Sequence, residues 1–317
     1  MPRPEATLTS LLWITLVLLL TPTTHLMVQG LPTGTPEQVG MSSKKLREVS
    51  ALMQRHVDFN AIAGAVTLVA RHGKVVHFEA VEQRDMEAGA PMTTDTIFRI
   101  ASMTKPITSI AAMMLYDEGH FDLDDPISKW LPEFAQMEVA VEGEDGETRR
   151  VPAIPITVRH ILTHTSGLAA NRGRSRARLR DAAPSARERT FEDYVRRLAT
   201  LPLDFQPGKL QVYGSATNVV GRLVEGLSGL TLDEFFQERI FKPLGVRDTH
   251  SYLPVDKLDR FAALYEPGDF GAIRLREAPN RESASIREPH VFFLRVRRAG
   301  VDSGRLRPDA TDDAQRW

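Results

Sequence analysis

Two serines in this chain have a lysine three residues further on, Ser42 with Lys45 and Ser102 with Lys105. That spacing puts a hydroxyl and an amine on one side of a helical turn. A serine hydroxyl is a poor nucleophile unless a neighbouring base takes its proton, and an amine can do so only where burial or another cation favours its neutral form. Context separates the two matches. Ser42 and Ser43 open a pattern with Leu46, Val49, Leu52, Met53 and Val57 on one side, so Ser42 and Lys45 read as a solvated helix start. Ser102 lies in FRIASMTKPITS (98–109), at the head of a helical pattern from Met103 to Glu118 that Gly119 ends. Its expected inward face is Ile107, Ile110, Ala111, Met114 and Leu115. Proline is tolerated only near the first turn of a helix, so Pro106 sets the helix start close to Ser102. Ser102 and Lys105 then share that first turn. The helix N-terminus disfavours an ammonium, and the Ser102 N–H can face a developing oxyanion. A further polar group is needed to pass the proton to a leaving group. Tyr213, in LQVYGSATN between Pro207–Gly208 and a helix, is the candidate.

Other chemistries find less support. The chain has no cysteine, which excludes disulfides, thiolate metal sites and a cysteine nucleophile. Its nine histidines are scattered. The one close pair, His160 and His164, lacks the intervening carboxylate of His-Glu-x-x-His. No metal and no cofactor is expected. The formal net charge of −1 offers no basic face for a nucleic acid. With 317 residues, 42% apolar and 26% charged, the chain has the composition of a globular protein with a sizeable core.

Residues 1–30 read as a signal peptide. LLWITLVLLL (Leu11 to Leu20) follows Arg3 and is about half the length of a spanning helix, and Val28-Gln29-Gly30 suits cleavage after Gly30. The expectation is a secreted or periplasmic protein, with membrane attachment only if this segment is retained. AIAGAVTLVA (61–70), a turn at His72–Gly73 and KVVHFEAV (74–81) read as a β-hairpin, followed by loop from Asp85 to Asp95. A turn-rich connector (121–134) precedes a small hairpin over 138–154, broken at Gly143 and Gly146. Thr157 caps a short helix closed by Ser166–Gly167; the basic stretch 171–189 reads as a solvated insertion. Helices are expected over Phe191–Thr200, Thr217–Leu227 and Leu232–Ile240.

Taken in order, VARHGKVV, FRIASMTKPITS, LDDPISKWLPEF, ITVRHILTHTSGL, FQPGKLQVYGS, NVVGRLVEGLSG and IFKPLGVRDTH resemble the serine β-lactamase and penicillin-binding-protein-like hydrolases. The likeness covers roughly residues 36–275 and is strongest to the branch holding class C β-lactamases, D-amino-acid-specific peptidases and family VIII-type carboxylesterases. It implies an α/β (α+β) fold, β-lactamase/transpeptidase-like, with an antiparallel sheet flanked by helices plus an α-helical domain. It also implies that Ser102 accepts the acyl group, that Lys105 is its partner and that Tyr213 is the tyrosine of a Tyr-x-Asn motif. Ser215 stands where that motif has asparagine, giving weaker support to a substrate amide and the oxyanion. This substitution suits an esterase better than an efficient β-lactamase. His164 in HTSGL is expected to be structural. The implied partner is a small-molecule ester or amide. A β-lactamase or D,D-peptidase, and an inactive relative that only binds ligand, remain open; the oligomeric state is not legible.

The family's third motif, Lys-Thr-Gly, His-x-Gly or Trp-x-Gly, is expected on a strand beside the site. No strand carrying it is recognised after Ile240. Residues 31–294 are therefore expected to form an incomplete hydrolase domain lacking the C-terminal strands, with 295–317 as a non-native or disordered tail. Shifted by one base, with synonymous codons chosen freely, the codons of 295–317 can encode a Gly-rich turn and a helix with Asp-Tyr and a Met/Leu run. That pattern fits a frameshift or truncation.

Overall fold

The computed structural model describes residues 31–168, 191–268 and 271–280. The expected signal peptide, the basic stretch 171–189 and the tail 295–317 lie outside these residues. Among the described residues, no helix is long and apolar enough to cross a membrane.

Helix α1 (Ser43–Asp58) begins where the Ser42 side chain accepts a hydrogen bond from the Lys45 N–H at 3.4 Å. This pair is an exposed cap, as its setting predicts. Leu46 is buried with Val39 and Val76 in a small cluster, whereas Leu52, expected to face inward, is 41% exposed. That cluster lies beneath an antiparallel sheet of order β1-β2-β3, made of β1 (Gly64–Arg71), β2 (Lys74–Asp85) and β3 (Ala90–Pro91). His72 and Gly73 both take positive φ, 49° and 71°. Two left-handed central residues match the twist of a tight hairpin; that turn sets Arg71 opposite Lys74, and a register shift between Val69 and Ala70 then places Leu68 opposite Phe78. The segment expected to be loop from Asp85 to Asp95 instead begins with the end of β2 and contains β3. Its sequence hides β3, which forms by pairing with β2, Gln83 opposing Pro91; the adjacent Arg84 O of β2 accepts from the Ala263 N–H at 2.9 Å.

The larger core is helical. Helix α2 (Thr104–Asp117) packs along α5 (Ala216–Ser228), with α3 (Val158–Leu162), α4 (Phe191–Ala199) and α6 (Leu232–Phe235) around them. Ala111, Ala112 and Leu115 of α2 and Val219, Val220, Leu223 and Val224 of α5 are almost wholly buried. Each fully buried aliphatic side chain of valine or leucine size stabilises the fold by about 1.5–3 kcal/mol before entropy is counted. Ile110 is a correction: it is 53% exposed. The buried stripe of α2 runs instead through Thr104, Thr108, Ala111, Ala112 and Leu115. The two threonines are tolerated there because their hydroxyls donate to the carbonyls of Ala101 (2.8 Å) and Thr104 (3.2 Å).

A hairpin of β4 (Glu138–Glu142) and β5 (Thr148–Pro152) turns at Gly143 to Gly146. Beyond α6 the chain widens into a π-helical stretch (Phe236–Phe241) before α7 (Lys242–Leu244). Pro243 has no N–H to give and crowds the preceding turn, which accounts for the wider winding. Two strands the sequence reading did not anticipate follow Ile240, in a sheet separate from β1-β2-β3. Strands β6 (Leu264–Pro267) and β7 (Ile273–Glu277) form a further antiparallel pair after Ile240. Their sequences, LYEP and IRLRE, contain none of the third-motif triplets. With few apolar residues and a terminal proline, they resemble loop in sequence. Contacts outside the pair hold them: Ile273 N–H donates to Asn60 O at 3.2 Å, and Glu277 pairs with Arg99.

Candidate active site

The chain reaches Ser102 through a segment held from the side. Ile97 exchanges backbone hydrogen bonds with Arg260 (2.8 Å) and Ala262 (2.9 Å), and Arg99 lies over the Phe261 ring at 4.1 Å. The Arg99 guanidinium donates to Ala262 O and to the Glu277 carboxylate, both at 2.8 Å. Ala101 then adopts φ of 43° before a 3₁₀ turn, Ala101–Met103, leads into α2. Pro106 sits in the first turn of α2, where its missing N–H removes no helical bond. The result is an exposed Ser102 followed, one turn on, by a buried Lys105.

The three expected reacting groups meet. Lys105 Nζ donates to Ser102 Oγ at 3.1 Å, and the Tyr213 hydroxyl is 2.7 Å from the same oxygen. Lys105 Nζ also lies 4.8 Å from the centre of the Tyr213 ring, so the cation faces the negative side of the phenol. Burial by itself would raise the Tyr213 pKa; hydrogen bonds with Lys105 and Ser102, and the charge of Lys105, outweigh it and hold the phenol below its ordinary value. A hydroxyl with an amine and a phenol both in hydrogen-bond reach can lose its proton to one and regain a path to the other.

The expected substrate contact from Ser215 is not available in this arrangement. Ser215 is fully buried, and its Oγ accepts from the Tyr194 hydroxyl at 2.9 Å. The residue directly precedes α5 and is enclosed by the helical core. His164 adopts φ of 57°, and its ring lies against that of Tyr213 with centroids 5.0 Å apart. Burial, and then the charge of Lys105, hold its imidazole below the ordinary pKa. Gly167 of the same block has φ of 76°, and a Cβ there would stand 2.1 Å from Phe205 O. Only glycine fits that approach.

Arg99 and Ala101 were not singled out from the sequence. A lone arginine among Phe98, Ile100 and Ala101 was a usable signal, since a charge beside an apolar run calls for a partner. Alanine has no left-handed preference, so Ala101 offered none. A cavity of about 470 Å³ lined in part by Arg84, Leu258, Phe261 and Pro279 contains none of Ser102, Lys105 and Tyr213. Within the described residues no group of three acidic or histidine side chains could hold a metal ion.

A sequence model of the Beta-lactamase family matches residues 49–317, and the chain belongs to that family. Its helices and antiparallel strands follow the β-lactamase/transpeptidase-like fold shared by its structural neighbours. Protein Rv1367c of Mycobacterium tuberculosis (strain ATCC 25618 / H37Rv) is 37% identical over 235 residues, which cover 74% of this chain and 57% of that protein. Esterase EstB of Burkholderia gladioli is 35% identical over 237 residues, covering 71% of this chain and 57% of EstB. The solved structure of EstCE1, described as a hydrolase with promiscuous acyltransferase activity, matches with a TM-score of 0.62 and 31% identity, over 74% of this chain and 59% of EstCE1. The chain thus spans just over half the length of these two curated relatives.

Proposed function

We propose that this chain is a serine hydrolase acting on small esters or amides through an acyl-enzyme, with carboxyl esters as the favoured class. The observation that carries the reading is the convergence of Lys105 Nζ and the Tyr213 hydroxyl on Ser102 Oγ, at 3.1 and 2.7 Å. Ser102 Oγ attacks the substrate carbonyl carbon while its proton passes to the Lys105–Tyr213 pair. The carbonyl oxygen becomes an oxyanion facing the N-terminal turn of α2, where backbone N–H groups and the helix dipole oppose its charge. The carbon–oxygen bond to the leaving alcohol breaks, and the alcohol takes the proton from Tyr213. Water then attacks acyl-Ser102, gives its proton back through the same pair, and releases the carboxylic acid.

The preference for esters rests on position 215. The family's asparagine would present an amide to substrate, whereas Ser215 is enclosed and already bonded to Tyr194. The name of EstB supports the same choice. Transfer of the acyl group to an alcohol in place of water is a second reading, favoured by the description of EstCE1.

The test is hydrolysis of p-nitrophenyl butyrate and of nitrocefin by the wild-type chain and by Ser102→Ala, with fluorophosphonate labelling followed by intact mass. Butyrate turnover and labelling that both vanish in Ser102→Ala are expected, with nitrocefin turned over slowly or not at all. Efficient nitrocefin hydrolysis would move the assignment to a β-lactamase. No labelling of wild-type Ser102 would leave a ligand-binding relative without turnover. An added alcohol that diverts butyrate from acid to ester product would support acyl transfer.

A further inference from the structure

His164 has no step in this chemistry, yet three features tie it to Tyr213. Its φ of 57° lies in the left-handed region, which residues other than glycine, asparagine, aspartate and histidine rarely adopt. That conformation aims its carbonyl at the Val212 N–H, 2.9 Å away and one residue before Tyr213. The same run continues with Gly208 N–H to Thr165 O and Asp204 N–H to Gly167 O, both 2.8 Å, so residues 164–167 are laced to the 204–212 loop. The His164 ring lies at 44° to the Tyr213 ring, and its Nδ1 is buried with no hydrogen-bond partner. A buried imidazole nitrogen without a partner is costly, so packing against the phenol, and not hydrogen bonding through Nδ1, is what the ring supplies here.

We infer that His164 is the positioning residue for Tyr213: its left-handed backbone fixes the residue before the tyrosine, and its ring braces the phenol so that the hydroxyl meets Ser102. The inference rests on the reading of Ser102, Lys105 and Tyr213 as the reacting groups. The brace is needed because Tyr213 stands on a loop with 56% of its surface exposed. Unbraced, such a side chain exchanges rotamers freely, and a misplacement of about 1 Å can cost about 10²-fold in rate.

His164→Asn and His164→Gly test this, because both residues accept the left-handed backbone and either folded variant suffices. The first readout needs no turnover: the titration of the Tyr213 phenol by NMR in ring-labelled tyrosine, assigned with Tyr213→Phe. Its pKa is held down by contacts with Lys105 and Ser102, so it should rise toward about 10 in both variants. An unchanged phenol titration overturns the inference. The second readout is the rate of fluorophosphonate labelling at Ser102. His164→Asn should slow it about 10- to 100-fold, and should change it little when Tyr213 is already phenylalanine. An equal loss in both backgrounds also overturns the inference. If the wild-type chain does not label, the hydrolase reading fails, and the phenol titration alone decides the role of His164.

Discussion

The Tyr213 hydroxyl lies 2.7 Å from Ser102 Oγ although 111 residues separate them in the chain. Lys105 reaches the same oxygen from within the first helical turn. One partner is therefore local and cheap to place, whereas the other depends on the packing of α2 against α5 and on the loop before α5. Tyr213→Phe keeps the ring and its contacts with His164 and Lys105 while removing only the hydroxyl. It should lower ester turnover by about 10²–10⁴-fold, the usual range for a general acid or base, with little change in unfolding midpoint. A loss below about tenfold would mean that Lys105 handles both proton transfers.

Ala101 precedes the nucleophile with φ of 43° and an exposed side chain. A left-handed non-glycine residue costs about 1–2 kcal/mol. Glycine removes that cost but adds about 0.5–1 kcal/mol of backbone entropy to the unfolded chain. Ala101→Gly should therefore change stability by under about 1 kcal/mol and keep Ser102 reactive. Ala101→Val, exposed and so free of core clashes, should destabilise by about 1–2 kcal/mol or more and slow labelling of Ser102. Urea unfolding with labelling rates checks both. Equal behaviour of the two variants would show that Ser102 does not depend on this backbone turn.

Arg99 and Glu277 join the segment before Ser102 to β7 through a 2.8 Å ion pair whose side chains are only 18% and 24% exposed. Glu277→Gln leaves the guanidinium largely buried with one charge partner fewer. A loss of about 1–3 kcal/mol is expected, in the range for hydrogen bonds to charged groups. Replacing both residues with methionine should cost less than the larger single change, because two apolar groups carry no desolvation penalty. A double variant as unstable as the sum of its parts would rule out direct coupling between them.

These contacts mark where sequence reasoning ends. Ser102 and Lys105 were legible because Pro106 restricts where α2 can start, and the first hairpin was legible because His72–Gly73 suits a tight turn. Ile110 was misplaced because the inward stripe of α2 contains Thr104 and Thr108, whose hydroxyls are satisfied by the helix's own carbonyls. A reading by hydrophobic period cannot anticipate that. Strands β6 and β7 were missed because their pairing is sustained by each other and by distant partners such as Asn60 and Arg99. Tyr213 could be nominated from its setting, but its distance from Ser102 is a property of the packed helices alone.

Stability should also fall on mild acidification. His160, His164 and His250 are all held below the ordinary imidazole value of 6.5, with burial the largest cause in each. Below 6.5 the unfolded chain takes up these protons before the folded one does. It then binds more protons, so unfolding stability rises with pH across this window and drops as pH is lowered through it. Above 6.5 neither state is protonated and the contribution is complete; below the folded values both are protonated and the loss levels off. Carboxylates such as Asp248, held well below the ordinary range first by hydrogen bonds from Arg260 and Lys257, keep their contribution until the pH falls under the ordinary aspartate value of 3.8. Urea midpoints between about pH 8 and about pH 5 should therefore decline from near the histidine value downward. His164→Asn should show a shallower decline, because one of the three protons is no longer taken up. A midpoint that stays level across this range would mean that these imidazoles titrate alike in the folded and unfolded chain.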